Sequence, residues 1–185
     1  LTEGALFGLG LWGKNPGTSD TFTDWSVDED EGIPCNTHTC LQVQINSEGA
    51  AKINQFLKTP ISLFRQTDAR GFAKLSKEYL NSAFTPINTS ISCQSNYIIV
   101  IGDGGWGGHG PAKDLIDGLF KSTKKVKSIM VAYGNSLKDN QLDNFNEMAV
   151  AGGTGSAIVA LTANDLKVQL QSIIATIIAE NLSYT

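Results

Sequence analysis

Apolar positions follow two different spacings along this chain, and each change of spacing marks an element. Ala5-Leu6-Phe7-Gly8-Leu9-Gly10-Leu11-Trp12 is an apolar run closed by Gly13 and Pro16, the pattern of a buried strand. Residues 15–39 are polar and carry the acidic run Asp28-Glu29-Asp30-Glu31, then Gly32 and Pro34. So long an insertion in a compact domain is usually functional or mobile. Leu41-Gln42-Val43-Gln44-Ile45 alternates with period two and predicts a strand at a sheet edge. Helical spacing then takes over. Ile53, Phe56 and Leu57 form one short stripe, and Phe72, Leu75, Tyr79 and Leu80 a second over residues 69–84, both read as core packing. Tyr97-Ile98-Ile99-Val100-Ile101 is apolar throughout and bounded by turn residues, which predicts a central parallel strand covered on both faces. Leu115, Ile116, Leu119 and Phe120 predict a helix over residues 112–122. Residues 128–133 predict a strand, Leu142, Phe145 and Met148 a helix, and residues 157–161 a further strand. The last helix carries Leu166, Leu170, Ile173, Ile174, Ile177 and Ile178 at i, i+3/i+4 spacing behind Asn164 as its cap.

Strands alternating with helices of this length imply an α/β sheet with helices on both faces. Ligands of such sheets bind at the carboxyl ends of the strands, which directs attention to the loop after Ile101. The 185 residues read as one domain, 1–185, interrupted by the polar insertion at about 15–39. With 41% hydrophobic and 17% charged residues the chain can build a core and is too weakly charged to be a disordered acidic segment. Lys and Arg number 14 against 18 Asp and Glu, a net charge of −4, which argues against nucleic acid as a partner. No run approaches the roughly 18 apolar residues of a membrane span, and no basic segment precedes an apolar one as in a secretion signal. The chain opens on Leu1 and reads as an internal or processed piece.

Cys35 and Cys40 flank Asn36-Thr37-His38-Thr39 in the polar insertion, a spacing that can close a small disulfide in an oxidising compartment. Two reduced loop cysteines are the alternative. Zinc held by Cys35, His38, Cys40 and His109 is a third arrangement, one that departs from the usual paired-ligand spacings. Cys93 is left without an assigned partner.

Gly102-Asp103-Gly104-Gly105-Trp106-Gly107 between a strand and a helix is open to three interpretations. As a dinucleotide fingerprint it lacks the acid expected about 20 residues on, because the next strand runs out in Tyr133-Gly134-Asn135. Asp103 would also set its negative charge against the phosphates. As a plain turn, the glycines supply positive φ and Asp103 caps something local. In the third interpretation Asp103 is an oxygen ligand for a hard cation, Mg²⁺ or Ca²⁺, shared with the hydroxyl of Thr67, whose alternative role is to cap the following helix. Few carboxylates leave such a cation electrophilic and ready to take an acidic group from a partner protein. A hydrolase built on His109 is a further alternative, although no serine or cysteine nucleophile neighbours it in sequence.

Several stretches together resemble the von Willebrand factor A domain, in particular that of the PilC/PilY family of type IV pilus tip proteins. They are Ser92-Cys93-Gln94-Ser95-Asn96-Tyr97-Ile98-Ile99-Val100-Ile101-Gly102-Asp103-Gly104, the opening residues 1–13, the run Ala151-Gly152-Gly153-Thr154-Gly155, and Leu161-Thr162-Ala163-Asn164-Asp165-Leu166 with the isoleucine-rich helix behind it. The resemblance implies a Rossmann-like three-layer fold with a mostly parallel sheet, lacking its first strand in this chain. It also implies that this strand lies upstream of Leu1 in the full protein, among further domains. Such domains build a metal-ion-dependent adhesion site from three loops, and Thr67 and Asp103 match the second and third. The first, D-x-S-x-S, has no counterpart: Asp24-Trp25-Ser26-Val27-Asp28 ends in Asp and follows no apolar strand. Gly102 also stands where the family commonly has threonine. The function implied is non-enzymatic: a cell-surface adhesion and pilus-biogenesis module, exported through the periplasm. It would bind pilus minor subunits or a host or abiotic surface through Mg²⁺ or Ca²⁺. A structural domain with a degenerate metal site and a nucleotide-dependent enzyme are the alternatives.

Overall fold

The computed structural model describes residues 5–12, 39–59, 68–91 and 94–182. The chain divides into two compact units, Thr2–Pro86 and Ile87–Thr185.

In the first unit, strands β1 (Phe7–Trp12) and β2 (Thr39–Asn46) pair antiparallel. Leu41 and Val43 are buried at 5% exposure, but Gln42 between them is buried as well, at 6%, so β2 is not open to solvent there as the period-two pattern predicted. Helix α1 (Gly49–Phe56) follows, then α2 (Ala69–Asn81). The predicted stripe of α2 is its buried face, with Phe72, Leu75, Tyr79 and Leu80 each at 6% exposure or less. Trp12 of β1 meets Phe72 edge-on at 5.1 Å. The Ile45 backbone N–H donates to the Tyr79 hydroxyl at 2.9 Å, joining β2 to α2. Burial raises the Tyr79 phenol above its usual range, partly opposed by that bond. Two further expectations are corrected here. Leu57 belongs to no core stripe, because α1 ends at Phe56 and Leu57 is 56% exposed at its C-cap. The cap of α2 is Asp68, whose Oδ1 accepts from the Arg70 N–H at 2.9 Å, so the capping role considered for Thr67 falls to its neighbour.

The second unit is an α/β layer structure. Strands β3 (Asn96–Gly102), β4 (Val126–Tyr133) and β5 (Ile158–Ala160) form a parallel sheet in the order β3-β4-β5. The strands are linked through α3 (His109–Lys121) and α4 (Asp139–Ala151), and α5 (Ala163–Leu182) follows β5. Successive residues of β4 face opposite ways. Val126, Ser128, Met130 and Ala132 are fully buried on one face, where Ser128 lies against Gly152 at the end of α4. On the other face Val131, with Ala160 and Ile99, packs beneath Leu166, Leu170, Ile173 and Ile177 of α5. Helices therefore flank the sheet, as the alternating pattern predicted.

The position of the apolar run 97–101 differs from expectation. Among the described strands β4 is central and β3 is outermost, with Ile101 39% exposed. A continuous apolar run records what a strand can be packed against and not its rank in the sheet order. At α5, Asn164 is not the cap. The Thr162 Oγ1 accepts from the Asp165 N–H at 3.1 Å, and the Asp165 carboxylate accepts from the Thr162 N–H at 2.9 Å. This reciprocal pair satisfies two amides that the helix start would otherwise leave open.

Candidate functional site

Because β3, β4 and β5 are parallel, their carboxyl ends lie on one side, at Gly102, Tyr133 and Ala160. The Gly134 N–H donates to the Ala160 carbonyl at 2.8 Å and holds two of these ends together. Helices α3, α4 and α5 start from the loops on that side, so their N-terminal amides and the positive ends of their dipoles gather there.

Asp103 is the first residue beyond β3. Its side chain is exposed and makes no hydrogen bond or ion pair among the described residues. A free carboxylate thus stands at the crest of the parallel sheet, as the motif predicted. The loop is not the plain turn of the second interpretation, however. Neither Gly102, Gly104 nor Gly105 has positive φ; Gly108, the N-cap of α3, does, at 66°. Two of the glycines instead lie close against side chains of α4. A Cβ on Gly102 would sit 3.2 Å from Phe145 Cζ, and one on Gly105 would overlap the side-chain amide of Gln141. Trp106 turns into the core at 6% exposure and stacks on Phe145, with ring centroids 4.1 Å apart and planes at 22°. Sequence reasoning did not single out Trp106, Gln141 or Phe145 as supports of this loop. The signal was a lone aromatic among glycines.

Thr67, Cys35 and Cys93 lie outside the described residues, and of Cys40 only its backbone pairing with Leu11 is described. Among the described residues no three His, Cys, Asp or Glu side chains gather as a metal cluster. His109, the first residue of α3, is half-buried and makes no hydrogen bond among the described residues. Further along the same two helices, Lys113 of α3 and Glu147 of α4 pair at 2.9 Å on the surface. The hydrogen bond between them raises the Lys113 ammonium and lowers the Glu147 carboxyl.

A second polar group occupies the opposite end of the sheet. The Tyr97 hydroxyl donates to Glu180 of α5, and the Lys127 ammonium lies 3.3 Å from both the Tyr97 hydroxyl and Glu180 Oε2. Burial and the bond to Glu180 raise the Tyr97 phenol. Burial alone would lower Lys127, but its bonds to Tyr97 and Glu180 raise it. The Tyr97 hydroxyl lowers the Glu180 carboxyl, helped by Lys127. A depressed carboxyl stabilises the fold above the usual glutamate range, and that contribution disappears as pH falls through the folded-state value. Wild type is thus expected to lose more unfolding free energy than Glu180→Gln between about pH 6 and pH 3, by urea titration at each pH. The difference is modest, because the Lys127 and Glu180 side chains are each 40% exposed. Parallel pH curves for the two proteins would dissociate Glu180 from acid sensitivity.

No helix among the described residues is long and apolar enough to cross a membrane. No family model, curated protein or solved structure matches this chain.

Proposed function

We propose that the chain is a binding module of the von Willebrand factor A type, associated with type IV pili at the cell surface, which grips an acidic group on a partner through a divalent cation at Asp103. The observation that carries this reading is the exposed, unpartnered carboxylate directly after β3 of a parallel sheet. Thr67 is the proposed second ligand, and Mg²⁺ or Ca²⁺ the hard cation that an oxygen-only donor set selects. The cation would supply a positive charge left open to an incoming carboxylate. Pilus minor subunits or a host or abiotic surface are the proposed partners, Cys35 and Cys40 the proposed disulfide, and export through the periplasm the proposed route.

Calorimetric titration of Mg²⁺ and Ca²⁺ into the wild-type chain and into Asp103→Ala and Thr67→Ala tests the reading. Removing one charged ligand is expected to weaken the preferred cation by about tenfold or more, or roughly 1.5–3 kcal/mol. Thr67→Ala is expected to cost less, because the lost ligand is neutral. Equal affinity in wild type and Asp103→Ala would remove Asp103 from the site. Absence of binding in all three would favour the structural reading, a domain whose metal site is degenerate. That alternative draws on the finding that no three His, Cys, Asp or Glu side chains gather among the described residues.

A further inference from the structure

We infer that α4 acts as a latch that fixes the conformation in which Asp103 is presented, with Gln141 and Phe145 as positioning residues and Trp106 as the bolt. The inference rests on the reading of Asp103 as a binding carboxylate. Residues 102–108 include five glycines, Gly102, Gly104, Gly105, Gly107 and Gly108, so the loop has little stiffness of its own. The Asp103 side chain contributes none, since it bonds to nothing described.

What holds the loop is outside it. On one flank of Asp103 the backbone of Gly102 lies against the Phe145 ring. On the other, Trp106 stacks on that same ring and Gly105 lies against the Gln141 side chain. Gln141 is itself committed: its Oε1 accepts from the Lys138 N–H at 2.9 Å, closing the first turn of α4. Its amide therefore cannot swing away from Gly105 without releasing an N-terminal amide of the helix. Gln141 and Phe145 are one helical turn apart and face the loop together. An aspartate whose backbone is held on both sides has less to order when it meets a ligand, and preorganisation of this kind raises affinity without adding a contact.

Backbone and indole resonances of the ¹⁵N-labelled full chain, titrated with MgCl₂ or CaCl₂, provide the test in wild type, Gly105→Ala, Gln141→Ala and the double variant. A methyl at residue 105 must displace the Gln141 amide, the far end of a flexible side chain, so Gly105→Ala is expected to fold. It should move the Asp103, Gly104 and Trp106 resonances and weaken the cation by about tenfold, the size of coupling expected between groups in contact. In the Gln141→Ala background the same methyl has room. Gln141→Ala alone should also loosen the loop, and the double variant is then expected to match Gln141→Ala in affinity and loop resonances without a further loss from the methyl.

That non-additivity is the readout that simple destabilisation does not produce. Additive effects in the two backgrounds, or Gly105→Ala leaving the Asp103 resonances in place, would overturn the latch. If wild type binds neither cation, the adhesive reading fails. The non-additivity of the Asp103 and Trp106 resonances then decides the latch by itself, present in support and absent against.

Discussion

Phe145→Ala is expected to lower the unfolding free energy of the chain by about 3–5 kcal/mol, the range for removing a fully buried aromatic ring. Phe145 is at 0% exposure and touches two structures at once. It supports the crest of β3 at Gly102, and it carries Trp106, whose indole would lose its stacking surface. The cavity adds to the transfer term because β3 and α4 can close over it only by moving. Phe145→Leu restores most of the volume and is expected to cost much less in stability while still removing the aromatic stack. Urea titration of both variants measures the difference. A cost under about 1 kcal/mol for Phe145→Ala would show that the site collapses freely and that the loop does not depend on this ring.

Residue spacing carried most of the second unit because its elements are amphipathic and its connections short. The stripe Leu166, Leu170, Ile173 and Ile177 packs where its period required, since a helix over a sheet has one face to bury. Ile174 and Ile178, read as part of the same stripe, are half-buried like Leu166, Leu170 and Ile177 but lie outside that cluster. A helix apolar on more than one side does not declare which side meets the sheet. The rank of β3 was not legible for a related reason. Tyr97 to Ile101 would look the same in the middle or at the end of a parallel sheet, and strand order depends on pairings with residues far away in sequence. Local misreadings came from ends of elements. Leu57 continued an apolar pattern past the last turn of α1, and Asn164 competed as a cap with Thr162, two residues earlier.

At the candidate site, Asp103 was legible because its place follows from strand direction alone: an acid immediately after a parallel strand must lie at the carboxyl end. The role of the surrounding glycines was not. Motif logic assigns them to positive φ or to phosphate approach, whereas Gly102 and Gly105 lie close against side chains about forty residues later, Phe145 and Gln141. Contacts at that separation leave no periodic trace in the sequence.

Gly152→Ala is the second large effect, and its cause is again a glycine fixed by approach to backbone. Gly152 caps α4 and sits on β4: its carbonyl accepts from the Ser128 N–H at 2.9 Å, and its N–H donates to the Met148 carbonyl at 2.9 Å. A Cβ there would lie 2.5 Å from Ser128 Cβ and 2.8 Å from the Ser128 carbonyl oxygen. The carbonyl cannot rotate out of the way, because it accepts from Thr154 Oγ1 at 2.7 Å and belongs to the central strand of the sheet. The end of α4 would have to lift off β4, breaking bonds that hold α4 and β5 in place. The expected cost is about 3 kcal/mol, at the upper end for overpacking. Gly118→Ala is the matched control. Gly118 lies inside α3 with nothing within 4 Å of where a methyl would go, so this substitution should stabilise by about 0.5–1 kcal/mol. The two Gly→Ala changes thus carry opposite signs from the same chemistry. If both shift the urea midpoint in the same direction, helix propensity and not the seating of α4 on β4 governs this unit.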